Sequence, residues 1–357
     1  MFNFIINKIF KYCKTVIDIF FCDFKAEISN TNRIWCNLDF SSLFIEPRKY
    51  SFVESLIKKN NHTCLCNNAE PELMWYGHYW SLVRYANLNQ IKLNNISGDH
   101  GNIFWDYTID EDFISKNKKN ILLTFSYKRK RNLESYGLKA IAIGPYIHYA
   151  QDFNGSINKI NKMKDTFGKF LLHFPEFRSH NKWDQSIDIL LTEHKKCVFD
   201  IKQMIDQGVV DKAIICIRAI DLDWAANYIE IYNNNDFIFA CCGNVNNPLY
   251  LDHLRYLIQL CHISTSNEVS TALGYSYYFN KKHFIIGDAD FHIRTNRVFE
   301  LPESNLIRSS HLIENNDMNV DIIDSSKYNV ISNLWGFNNL KKNCEIRDIL
   351  LNKYYYS

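Results

Sequence analysis

The chain has 357 residues, 46% of them hydrophobic and 22% charged, a balance that excludes an intrinsically disordered protein. Its 41 Lys and Arg stand against 39 Asp and Glu, for a net charge of +2, which argues against a nucleic-acid binder that works through a strong overall field. A single core stops growing at about 250–300 residues, so two domains are expected.

The first twenty residues carry Phe2, Ile5, Ile6, Ile9, Phe10, Cys13, Val16, Ile17 and Phe20 at helical spacing, with Lys8, Lys11 and Lys14 on other faces. Two readings stand for this helix. It packs on the protein's own core, or it lies on the inner-membrane surface with its lysines toward anionic lipid. No cleavable leader and no apolar run long enough to span a bilayer are evident, so a cytoplasmic protein, peripheral at the inner membrane on the second reading, is expected.

Residues 80–88 read as a helix leading to a strand that ends at Gly98. Asp110, Glu111 and Asp112 read as the start of a helix, where carboxylates suit the positive end of the helix dipole. Residues 121–125, a basic helix over 128–133, and residues 140–143 closed by Gly144 form one βαβ unit. A polar stretch over 155–168, rich in Asn, Lys and Asp, marks the domain junction.

Beyond it, 170–174 is a short apolar strand stopped by Pro175, and 187–205 is helical. Residues 213–217 and 237–242 are further buried strands, with a helix over 224–232 between them. Residues 249–260 and 270–279 read as helices, and 283–286 as a last strand. Continuous apolar strands alternating with helices require a parallel sheet covered on both faces. The expected fold class is α/β, with two Rossmann-like domains facing a central cleft. The boundaries are 1–160 for an acceptor-side domain, 161–300 for a nucleotide-sugar domain, and 301–357 for an extension that packs back on both.

Eleven cysteines are present, but no Cys-x-x-Cys pair exists to anchor a structural zinc. Cys216, Cys241, Cys242 and Cys261 sit in apolar runs and read as reduced, buried thiols.

Three segments can carry chemistry. In Ser97-Gly98-Asp99-His100-Gly101, two glycines suit a tight turn at a strand end. There His100 or Asp99 can remove a proton from a sugar hydroxyl, or the segment is an ordinary polar turn. Glu176, Arg178 and His180 follow the strand at 170–174, on the side where open α/β sheets bind ligands, with a solvated loop as the alternative. Ser264, Thr265, Ser266 and Asn267 precede a helix, where hydroxyls and open N–H groups make an anion site or simply cap that helix. Thr271 and Gly274, further along, would let the helix approach a ligand closely. Asp288-Ala-Asp290 has the form of a metal-chelating Asp-x-Asp, but it falls after the last strand and is set aside.

Taken in order, Asp99-His100-Gly101, residues 123–125 with Lys128–Arg131, residues 142–146, residues 171–175, Ser264–Asn267 and Gly274-Tyr275 resemble the GT-B glycosyltransferases of bacterial capsule and lipopolysaccharide (O-antigen) synthesis. They are most similar to the sialyltransferase and glycerophosphotransferase groups. Where sialyltransferases carry His-Pro, this chain has Phe174-Pro175 with His173 one step earlier. The resemblance implies a metal-independent, inverting transfer from a CMP- or other nucleotide-activated sugar to a glycan or lipid-linked glycan acceptor, with no cofactor and no nucleic acid. It places the base at Asp99 or His100, and donor contacts at Ser264, Thr265, Ser266, Asn267, Glu176, Arg178, His180 and Gly144. A non-hydrolysing nucleotide-sugar epimerase and a non-catalytic partner in a polysaccharide assembly complex are the alternatives.

Overall fold

The structure is a computed structural model that describes residues 44–45, 69–88, 91–99, 101, 109–152, 156–176, 187–218, 229–232, 236–287 and 325–353. The segment 1–20, His100, Arg178, His180, Asp288 and Asp290 lie outside the described residues.

Two parallel sheets organise the chain. The smaller has the order β2-β3-β4 and joins Ile96–Gly98, Ile121–Thr124 and Lys139–Ala142. The larger has the order β1-β7-β6-β5-β8-β9. In it β5 (Phe170–Phe174) lies between β6 (Lys212–Cys216) and β8 (Ile263–Ser266), with β9 (His283–Ile285) at one edge. At the other edge β7 (Phe237–Ala240) pairs antiparallel with the two-residue β1 (Phe44–Ile45).

Alternation along the larger sheet feeds two layers. Leu171, Ala213, Ile215, Phe237 and Ile263 face Leu190, Val198, Ile201 and Met204 of α6 (Ile187–Asp206). Phe170, Leu172, Ile214 and Ala240 face a second cluster that includes Leu254, Leu257 and Ile258 of α7 (Tyr250–Leu260). That same cluster takes in Leu123 and Ile141 of the smaller sheet and Leu82 of α2 (His78–Tyr85), so one apolar layer joins the two sheets. The sheet covered on both faces is as the sequence predicts.

Ionic contacts reinforce this joint. Arg84 Nη2 on α2 lies 2.5 Å from Asp252 Oδ2 on α7, and Asp252 Oδ1 accepts from Gln151 N at 2.7 Å. Arg255 holds Asp152 at 2.7 Å. Helix α9 (Ser325–Trp335) packs on α8 (Thr271–Tyr278), and α10 (Asn343–Leu350) packs on α2. Residues between them bond back to the smaller sheet, Asn339 Nδ2 donating to Phe125 O at 3.3 Å and Lys341 N to Tyr149 Oη at 3.0 Å.

Three local readings change. The polar stretch at the expected junction is the helix α5 (Ser156–Phe167). Ile160 and Met163 give it a narrow apolar stripe against α7, and Tyr256 Oη bonds the Met163 sulfur at 3.6 Å. Residues 264–266 are the strand β8 itself, not a loop ahead of a helix. Of the helix expected over 224–232, the described part is a 3-10 turn, Ile229–Tyr232. Helix α3 (Glu111–Asn117) starts as its acidic residues predict, with Asp110 Oδ1 accepting from Phe113 N at 2.6 Å. Cys216, Cys241, Cys242 and Cys261 are buried free thiols, and burial pushes the Cys242 and Cys261 thiols well up.

Candidate functional site

In open parallel sheets the C-terminal strand ends are where loops are free to bind ligands. At that end of the larger sheet, the residues after β5, β6 and β8 are tied to each other. Glu176 N donates to Asn267 Oδ1 at 2.7 Å, and Asn267 Nδ2 donates to Glu176 O at 3.2 Å, so one buried amide stitches two loops together. The Glu176 carboxylate accepts from Arg218, which follows β6. Glu268 lies buried beside them. Burial, with the Glu176 carboxylate adding to it, pushes the Glu268 carboxyl well above the usual carboxylate range, and Arg218 only partly opposes this.

The predicted hydroxyls Ser264, Thr265 and Ser266 are all buried and committed to partners within the sheet. Ser264 Oγ and Ser266 Oγ each lie 2.8 Å from one of the two ring nitrogens of His283. Thr265 Oγ1 lies 2.9 Å from His173 Nδ1, and Ser264 Oγ lies 2.7 Å from Ser276 Oγ on α8. A strand of hydroxyls is stable in a core because each one finds such a partner. The capping role expected of 264–267 falls to Ser270, whose side chain accepts from Ala272 N at 3.3 Å. The half-buried residues 269–272, and not the three hydroxyls, form the accessible start of α8.

Two predicted glycine roles also change. A Cβ on Gly274 would stand 2.1 Å from the Trp335 ring, so this glycine admits the indole of α9 and not a ligand. Gly144, at φ +79, would meet Leu340 Cδ2 at 2.8 Å and Gly336 O at 3.0 Å. It is covered by the segment at 336–340, which removes it from the donor side.

Across the joint, Asp99 ends β2 with its N–H on Leu123 O at 3.0 Å. Asp99 Oδ2 accepts from Thr124 Oγ1 at 2.6 Å and lies 3.5 Å from Arg129 Nε. Arg129 comes from the first turn of α4 (Tyr127–Ser135), which Ser126 caps. The carboxylate is thus buried and held from two elements. Two residues on, a Cβ at Gly101 would lie 3.3 Å from Thr271 Oγ1. Gly101, three residues beyond the end of β2, therefore approaches the start of α8.

The structure thus ties Glu176 to Asn267, brings Gly101 up to Thr271 at the α8 start, and holds Asp99 on Thr124 and Arg129, while Ser264, Thr265 and Ser266 lie inside the sheet. Sequence reasoning passed over Arg218, Glu268, Ser270 and Arg129. Arg129 stood within a run of four cations that reads as a solvated face, and Glu268 follows a predicted segment by one residue. Among the described residues, no group of three or more His, Cys, Asp or Glu is set to hold a metal ion, and no helix is long and apolar enough to cross a membrane.

No family model matches this chain, and no curated protein does. Among solved structures it is similar to a glycosyltransferase from Rickettsia africae ESF-5, at 14% identity and a TM-score of 0.33, over 84% of this chain and 88% of that one. A likeness at that TM-score establishes no shared fold, and function has to be read from the site itself.

Proposed function

We propose that the chain is a glycosyltransferase that moves a sugar from a nucleotide-activated donor, such as a CMP-sugar, to a surface-glycan or lipid-linked acceptor, in a two-domain arrangement of the GT-B kind. The observation that carries this reading is the approach of Gly101 to Thr271 Oγ1 at the start of α8. The donor phosphate rests at that start, where the positive end of the helix dipole favours an anion without a metal. Glu176, Asn267 and Arg218 form the adjoining floor.

Proton removal from the acceptor is assigned to His100, which the chain places between Asp99 and Gly101. Asp99 already receives Thr124 and Arg129, so it is the positioning residue. The reaction is a single displacement with inversion, in which His100 takes the acceptor proton and the helix start stabilises the departing phosphate.

The test is nucleotide release from CMP-, CDP-, UDP- and GDP-sugars, with and without an oligosaccharide acceptor. Release with one donor class, only when acceptor is present, is the expected result. Conversion of a donor to its epimer without acceptor, or no turnover of any donor, would contradict the proposal.

A further inference from the structure

A cleft of about 450 Å³ opens between the first turn of α4 and residues 330–339. It lies on the side of α4 away from Asp99. On a helix, successive side chains are about 100° apart, so Tyr127, Lys128 and Arg131 share one face while Arg129 points away from it. Arg129 is the residue that holds Asp99, and the other three line the cleft. One helical turn thus serves the candidate catalytic turn on one side and this cleft on the other.

The chemistry of the cleft selects a ligand class. Among the described residues its lining includes the exposed Arg131, with Lys128 beside it, and no carboxylate, and the Arg131 guanidinium favours an anion. The facing wall carries the exposed Asn333 and Asn338, whose amides match sugar hydroxyls with both donors and acceptors. Tyr127 is 54% exposed and supplies a flat apolar surface for the C–H face of a pyranose ring. A purely anionic ligand has no use for the amides or the ring, and a neutral sugar has none for the cations.

We infer that this cleft seats an anionic saccharide, one bearing a carboxylate or a phosphate, at a subsite separate from the candidate catalytic turn. This binding does not rest on the transferase reading.

The experiment is titration calorimetry on the full chain without donor. The probes are a hyaluronan tetrasaccharide for the carboxylate, glucose 6-phosphate for the phosphate, and chitotetraose, glucose and inorganic phosphate as neutral or sugar-free controls. At least one anionic sugar should bind tenfold or more tighter than every control, and Arg131→Ala should remove most of that margin. Arg131 and Tyr127 are exposed, so Arg131→Ala and Tyr127→Ala should retain the folded circular-dichroism spectrum. Equal binding of neutral and anionic sugars, binding of inorganic phosphate as tight as that of glucose 6-phosphate, or unchanged binding in Arg131→Ala would each overturn the inference. Anionic-sugar binding that survives while every donor goes unused would remove the transferase reading and leave the saccharide site standing.

Discussion

Acidification from pH 6 to pH 5 should destabilise the folded chain in urea unfolding, by at most about 3.6 kcal/mol, with three buried histidines as the source. His173, His194 and His283 are fully buried, and burial pushes each of them down to about 3. For His173 the neighbouring His194 and His283 add to the effect. In the folded chain they stay neutral down to that value, while in the unfolded chain they take protons below about pH 6.5. The unfolded state therefore binds more protons between these limits. Stability is complete above the unfolded value and falls as pH drops through it, by about 1.2 kcal/mol per histidine between pH 6 and 5.

Glu268 works in the opposite direction. Its raised carboxyl favours the protonated form in the folded state more than in the unfolded one, which offsets part of the loss over the same step. Asp252 and Asp200 are raised by burial as well and add to this offset. The contribution of one histidine can be isolated. His173→Gln retains a group able to bond Thr265 and should reduce the fall between pH 6 and 5 by about 1.2 kcal/mol. A pH slope identical in wild type and variant would show that His173 titrates normally in the folded chain.

The largest effect on activity is expected from His100→Ala. Loss of a positioned general base lowers kcat by about 10²–10⁴-fold. On the transferase reading, the wild-type chain should show an acid limb in kcat/KM in the range where imidazoles titrate, about pH 6–7, and this limb should vanish in His100→Ala. Asp99→Asn keeps a group able to accept from Thr124 but loses the ion pair with Arg129. It should lower kcat less and leave the acid limb in place, since the proton still goes to His100. If the limb disappears in Asp99→Asn and survives in His100→Ala, the two roles are reversed.

The strands were easy to read because continuous apolar runs such as 121–124, 170–172 and 213–216 have no other place in a soluble α/β fold. The polar elements were not. Helix α5 sets Ile160 and Met163 among Asn and Lys, and its reason for folding is α7, about ninety residues away. Strand β8 reads as a loop because Ile-Ser-Thr-Ser has one apolar residue, and its stability comes from His173 and His283, which no local pattern links to it. The same holds for the site. Asp99 could be placed at a strand end from its flanking glycines, but Arg129 looks like any of its cationic neighbours until the helix fixes which one turns inward.

The reading of the site depends on one ligand touching two segments far apart in the chain. Amide hydrogen exchange, followed by mass spectrometry with and without the nucleotide that supports turnover, examines both at once. Peptides covering 95–101 and 266–273 should slow together when nucleotide and acceptor are bound, while α6 on the opposite face of the larger sheet stays unchanged. Protection confined to one of the two segments, or appearing only elsewhere, would contradict a shared donor and acceptor site at this joint.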